Sequence, residues 1–487
     1  MRKTAITLAI LLSSIAMTAK VRMPAVFSDH MILQQESSAN IWGWADAGKT
    51  VTIKASWDKN AKVSVKTGAD GKWAAKLATP SFGGPYSIEI SDGEKLTIND
   101  VMIGEVWVCS GQSNMEMPVK GFGSQYIEGS RDAILRAGSY RDRIRMFTVG
   151  RNSTTELQDD CKGAWQQASL TSTPDASAIA YFFAEYVTDA LNMPVGILIT
   201  DWGGSSIEAW MPESVTREAL SSVKSKEQID QQIANRNKAG AQHGAALLYN
   251  GMLYPVRGYN AKGFLWYQGC TNLGNSDCYD LMQAAMVRQW RSDWGDTENA
   301  MPFYYVLIAP YNYGKPESHQ RGFFVENQRH AAKITPNSDC AATETLSDTG
   351  DIIHPAKKRD VSAQLAMLAL NRTYGLKTGM DVGCPEPQEI KFNGDGNFEI
   401  TFSNAKMGLE PIKSIADITG FEIAGEDKVF YPARAYFQGG KVTVEKNEHV
   451  PSPAAVRYSF RNFPGGNLTN LFGTPVPPFR SDSWSQY

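Results

Sequence analysis

The chain has 487 residues, 42% of them hydrophobic and 20% charged, with a formal net charge of -3. That length exceeds one ordinary core and predicts two or three domains. A balance so near zero leaves no basic footprint for nucleic acid and no polybasic patch for acidic lipid.

Met1-Arg2-Lys3 is a basic start, and Ala5 to Ala16 is an apolar run ending in small residues. This predicts a secretory signal peptide over residues 1–19, cleaved after Ser14-Ile15-Ala16 or Met17-Thr18-Ala19. The apolar run falls short of the about 20 residues that a membrane span needs. No membrane contact is expected once the signal is removed, and a secreted or periplasmic protein is the expectation. Six cysteines (109, 161, 270, 278, 340 and 384) could pair after export, but their spacing assigns no partners. No C-x-x-C pair or His-Cys cluster calls for a metal, and no cofactor is expected.

Residues 20–100 read as an all-β domain. Ser38 to Trp44, Thr50 to Ser56, Ala61 to Val65 and Lys72 to Leu77 alternate or are β-rich, with Gly-containing turns between them. The spacing suits a small immunoglobulin-like sandwich. From 101 to 384 strands and helices alternate. Val101 to Val108 is a strand that stops at Cys109-Ser110-Gly111-Gln112-Ser113-Asn114-Met115. Ala176 to Leu191 is a helix, and Pro194 to Thr200 is a strand ending at Asp201-Trp202-Gly203-Gly204. Gly263 to Gln268 ends at Gly269-Cys270-Thr271-Asn272, and Phe303 to Ala309 is followed by a helix near 323–332. Cys340 to Leu346 leads through Asp351-Ile352-Ile353-His354-Pro355 into a last helix, with Pro355 in its first turn. Such alternation builds a parallel sheet covered on both faces. Residues 385–487 are β-rich, either a separate sandwich or an extension of the central domain.

The strand ends carry the chemistry. Ligands of open α/β sheets bind outside the carboxyl ends of the strands, and four such ends offer complementary groups here. Acyl transfer needs a nucleophile, a base, a group that orients the base, and donors for the oxyanion. Ser113 supplies a hydroxyl, His354 an imidazole, and Asp351 a carboxylate to receive the second ring N–H. Ser113, Gly203, Gly204 and Asn272 are the candidate oxyanion donors. Ser205, Glu208 and Trp210 follow the glycine pair and would border a sugar pocket, with Gln112 and Gln268 as further substrate contacts. Each residue also has an ordinary reading: Ser113 as a helix cap, the glycines as a turn, Trp210 as core and Glu208 as a solvated charge. Twelve Trp and nineteen Tyr suit stacking on sugar rings as well as filling cores.

The motifs GEVWVCSGQSNM (104–115), DWGGSSIEAWMP (201–212), LYNGMLYPV (248–256), FLWYQGCTN (264–272) and DIIHP (351–355) resemble those of the sialate O-acetylesterase family, within the SGNH (GDSL-like) hydrolases. Flanking segments at 26–34, 39–48, 418–425 and 455–460 extend the resemblance over nearly the whole mature chain. It implies a flavodoxin-like α/β domain with β-sandwich-like companions and hydrolysis of O-acetyl esters on a sugar or glycan. It further implies Ser113 as nucleophile, His354 as base, Asp351 as its orienter, and Gly203 as the better match of the glycine pair. One departure is Cys270, where the family commonly carries Glu. The first expectation is thus a secreted serine esterase acting on O-acetylated sialic acid. Alternatives are an esterase for acetylated xylan or pectin, and a non-catalytic carbohydrate-binding protein.

Overall fold

The structure, a computed structural model, describes residues 21–347, 349–411 and 417–485. The expected signal peptide lies outside the described residues. The centre is a seven-stranded path in the order Ser338–Ala341, Phe303–Val306, Gly263–Tyr267, Lys95–Gly111, Val195–Asp201, Ile144–Thr148, Trp165–Gln167. All neighbours pair in parallel except the last two. The chain fills one side of Lys95–Gly111 first and then the other, so the winding reverses beside this strand. A crevice therefore opens at its carboxyl end.

Alternation along the strands builds two cores. Val106, Val108, Phe264 and Trp266 pack with Met282, Met286, Trp290 and Phe324 on one face. Trp107, Cys109, Leu265 and Tyr267 pack with Phe182, Phe183, Val361 and Leu365 on the other. Period-two pointing of side chains sends neighbouring residues to opposite faces, which explains why the central strands read as unbroken apolar runs. The covering helices are Tyr279–Asp293 and Gln320–Ile334 on the first face, Ala178–Leu191 and Lys358–Leu368 on the second. Ser177 caps Ala178–Leu191, accepting the Ala180 N–H at 3.2 Å.

The N-terminal strands join this sheet directly. Lys95–Gly111 runs for 17 residues; its first half pairs with Gly83–Ser91 and its middle with Ile32–Gln34. A boundary at residue 100 thus falls inside one strand. Ser38–Trp44 and Lys72–Ala78 form a separate antiparallel pair above it. The C-terminal region has two four-stranded antiparallel sheets around Ile400, Ile423, Val442, Val456 and Tyr458. It is tied to Gln320–Ile334 by Arg480 on Glu326 and by Arg329 on the Pro478 carbonyl. The last helix begins at Lys358 rather than at Pro355, because residues 351–355 form the loop that presents His354. All six cysteines stand unpaired. No described helix is long and apolar enough to cross a membrane.

Candidate active site

Gly111 closes the central strand with φ +148, and a Cβ there would meet the Tyr267 carbonyl oxygen at 2.3 Å. The chain can bend only because this residue has no side chain. The bend starts the one-turn helix Ser113–Glu116 at the carboxyl edge of the sheet. Ser113 stands at its first position, where a backbone N–H has no acceptor within the helix.

The Ser113 Oγ lies 2.8 Å from His354 Nε2, although the two are 241 residues apart in sequence. The other ring nitrogen, Nδ1, lies 2.6 Å from Gln125 Oε1. An amide oxygen accepts only, so Nδ1 carries the proton and Nε2 is free to accept from the serine hydroxyl. Gln125 is held by a tight turn in which Phe122 and Gln125 exchange backbone hydrogen bonds. The Phe122 ring stands edge-on to the imidazole at 5.4 Å.

This corrects the expected role of Asp351. Its carboxylate is exposed and accepts from Asn312 Nδ2 at 3.1 Å, while the amide of Gln125 takes the place beside Nδ1. The three-residue spacing puts Asp351 on the outside of the loop when His354 turns inward.

The electrostatics are also unlike those of a carboxylate-paired histidine. Burial, and then the Lys358 ammonium, hold the His354 pKa down at about 4. Lys358 is buried and donates to Asn114 Oδ1, and burial lowers its own pKa to about 7. Asn114 Nδ2 in turn donates to the Ile353 carbonyl at 3.1 Å. Asn114 therefore pins the His354 loop to the helix that begins at Ser113.

The oxyanion donors need correction too. The Gly203 N–H donates to Glu116 Oε2 at 2.6 Å. A Cβ on Gly203 would lie 2.7 Å from that oxygen and 3.5 Å from Ser113 Cβ, so a side chain there would displace the Glu116 carboxylate. Gly204 has φ +74 and accepts from Thr271 Oγ1 through its carbonyl; it is a turn residue. Asn272 is fully buried. Its Oδ1 accepts from the Ile207 N–H and the Gln268 amide, and its Nδ2 donates to Glu208. Asn272 thus braces the 203–212 segment instead of facing the reaction centre. Among the described residues the backbone N–H groups of Ser113 and Gly204 have no hydrogen-bond acceptor.

The five expected substrate contacts are all buried. Gln112 accepts from the Gly269 N–H, and Ser205 accepts from the Trp210 indole. Glu208 pairs with Arg236 at 3.0 Å and binds Gln232; burial pushes its pKa up, but these partners outweigh it and hold it low. Gln268 donates to the Ser205 carbonyl and accepts from Tyr279. Trp210 packs edge-on against Trp266 at 6.3 Å. A polar group beside a strand end is here satisfying buried backbone. Cys270 receives the Tyr313 hydroxyl at 3.4 Å, and burial raises its thiol pKa.

A cavity of about 440 Å³ adjoins the pair through Glu116 and Phe122, without Ser113 or His354 in its lining, and is lined further by Lys120, Arg151, Asp175 and Asp201. Arg151 pairs with Glu116, and Lys120 with Asp175. Burial and the Glu116 carboxylate raise the Asp201 pKa well above the usual carboxylate range, and its buried Oδ2 has no hydrogen-bond partner among the described residues. Of the residues that shape this centre, Asn114 and Glu116 sit beside the serine motif and could have been read from it. Gln125, Phe122, Arg151 and Lys358 carry no local signal.

The family described as "Carbohydrate esterase, sialic acid-specific acetylesterase" matches residues 103–369, more than half of the chain. Sialate O-acetylesterase of Rattus norvegicus is 28% identical over 430 residues, spanning 76% of each chain. That of Mus musculus is 26% identical over 510 residues, covering 91% of this chain and 90% of its own. A carbohydrate acetylesterase from Xanthomonas citri, known by crystal structure, superposes with a TM-score of 0.83 at 29% identity. That match covers 95% of this chain and all of the other. The match over residues 103–369, which hold the central sheet, Ser113 and His354, carries the conclusion: the chain belongs to the sialic acid-specific acetylesterase family of carbohydrate esterases and is a carboxylic ester hydrolase.

Proposed function

We propose that the protein is a secreted serine esterase that removes O-acetyl groups from carbohydrate, with O-acetylated sialic acid its first candidate substrate. The observation that carries this reading is the 2.8 Å contact between Ser113 and a neutral His354 at the carboxyl edge of the sheet. Ser113 Oγ attacks the acetyl carbon while its proton passes to His354 Nε2. The oxyanion is met by the Ser113 N–H; Gly203 becomes a second donor once Glu116 swings away toward Arg151. His354 then protonates the departing sugar oxygen, and water activated by the same imidazole frees acetate from the acyl-serine. Gln125 holds the ring in the required tautomer without adding a negative charge.

The adjoining cavity supports a short acyl group on a hydroxylated partner, because charged and polar groups such as Lys120, Arg151 and Asp175 make up about half of its lining. A second reading, an acetylated neutral polysaccharide, is supported by one feature. Both cations of the cavity, Lys120 and Arg151, are already paired with carboxylates, leaving neither free for a sialic acid carboxylate. The basic and then apolar start of the chain supports export.

The test is acetate release from O-acetylated sialoglycoprotein, acetylated xylan and a chromogenic ester series. Ser113→Ala should lower kcat by about 10⁶, and acetate should be cleaved far faster than octanoate. Rates that climb steadily with acyl length would make the protein a lipid esterase.

A further inference from the structure

A second cavity, of about 510 Å³, lies between the N-terminal strands and the catalytic sheet. Its lining includes Trp42, Trp44 and Trp73, with Asn40, Asp70, Lys72, Asp159, Arg257 and Asp293 around them. Along Ser38–Trp44 the burial alternates: Ala39, Ile41 and Gly43 are buried, while Asn40, Trp42 and Trp44 share the outer, half-buried face. Residues two apart on one face stand about 7 Å from each other, so the two indoles form a short platform. Across from Trp42 the neighbouring strand carries only Ala74, which is exposed. That small residue leaves Trp42 open on this side, while one face of the Trp44 ring is covered by the Arg22 guanidinium at 4.0 Å and the other is left for a ligand. Trp73, paired with buried Gly43, turns its indole to the inner face and meets the cavity only at its backbone.

The position separates this cavity from the active centre. Asn40 is tied to the Gly258 carbonyl and to Asn260, just before the amino end of Gly263–Tyr267. Ser113 lies beyond the carboxyl end of the strand that pairs in parallel with it. The two sites stand on opposite edges of the sheet, at least about 13 Å apart by the strand rise.

We propose that this cavity is a binding site for a neutral glycan chain, independent of the esterase centre. Flat indoles receive the apolar C–H faces of sugar rings, while a few convergent polar groups take the hydroxyls, and the volume falls in the usual range for small ligands. The charges select against acidic sugars. Lys72 is paired with Asp159 at 2.6 Å, and Arg257 lies over the Tyr254 ring while donating to its carbonyl. Asp70, Asp159 and Asp293 together outnumber the two cations of the lining, Lys72 and Arg257, which leaves it net acidic.

The experiment is calorimetric titration of the full chain with xylohexaose, cellohexaose and sialyllactose. None carries an acetyl ester for the catalytic serine. At least one neutral hexaose should bind with Kd below about 1 mM. Trp42→Ala and Trp44→Ala should each weaken binding about tenfold. Ala74→Trp, which fills the groove while removing no contact, should do the same, with near-ultraviolet circular dichroism verifying the fold of each variant. Failure of both hexaoses to bind, binding indifferent to all three substitutions, or tighter binding of sialyllactose would each overturn the proposal. None of these outcomes bears on acetate release, so the esterase reading stands or falls separately.

Discussion

Beside His354 stands an amide where a carboxylate was expected, and this decides two measurable properties. A base works only while neutral, and burial with a nearby ammonium holds this imidazole neutral down to about pH 4. The acid limb of kcat/KM for a small acetate ester should therefore fall near pH 4, not near the about 6.5 of an unperturbed histidine. Lys358→Met removes the cation that opposes protonation, so it should move that limb upward; a limb that stays put would exclude Lys358 as a cause. The second property is the ranking of orienting groups. Gln125→Ala removes one hydrogen bond to Nδ1 and should lower kcat about five- to tenfold, in line with about 1 kcal/mol for such a bond. Gln125→Glu should restore the rate and raise the acid limb, because a carboxylate favours the imidazolium. Asp351→Ala, at an exposed carboxylate bonded to Asn312, should stay within about twofold. The opposite ranking would return Asp351 to the orienting role.

The segment after Val195–Asp201 shows what an element's residues do when they are not for substrate. Gly203 to Pro212 crosses the carboxyl edge of the sheet, and Glu208 and Asn272 hold it from below. Asn272→Ala leaves the buried Ile207 N–H without an acceptor, at about 1–3 kcal/mol, and takes from the Gln268 amide one of its two acceptors. Arg236→Met strands the buried Glu208 carboxylate, at about 3–5 kcal/mol. Urea unfolding should show both losses, and the double variant should lose less than their sum because the partners share one network. A normally stable Asn272→Ala protein with kcat lowered by about 10²–10³ would instead make Asn272 an oxyanion donor. The strands themselves were legible because burial on both faces writes unbroken apolar runs, and the serine and histidine were legible because each follows such a run. Gln125 was not: it meets His354 across 229 residues, and nothing local marks a glutamine as an imidazole partner. Polar residues at strand ends misled for a related reason, since a motif position that satisfies buried backbone looks the same in sequence as one that binds a sugar.

At the scale of the molecule, one strand joins what composition divides. Asn99 and Asp100 look like a boundary, yet Lys95–Gly111 continues through them. Asp100 takes a bidentate ion pair from the buried guanidinium of Arg145, a residue of the catalytic sheet. Further ties cross the same seam: the Tyr259 hydroxyl to the Ile32 carbonyl at 2.7 Å, and the Trp165 indole to the Val26 carbonyl at 2.8 Å. Val26, Ile32, Ile41, Val106 and Trp266 belong to a single apolar cluster. Unfolding the N-terminal strands would therefore expose the catalytic core's own side chains and break the pairing of the strand that delivers Ser113. Cooperativity follows from such shared burial. Residues 21–384 should lose ellipticity, tryptophan burial and esterase activity in one coincident thermal transition. The C-terminal sheets, with a core of their own, could melt apart from it. Asp100→Ala strands the Arg145 guanidinium and should lower that transition by about 3–5 kcal/mol in stability while keeping activity and N-terminal structure locked together. An intermediate that keeps full esterase activity after the N-terminal strands have melted would show that the two regions are separable despite the strand they share.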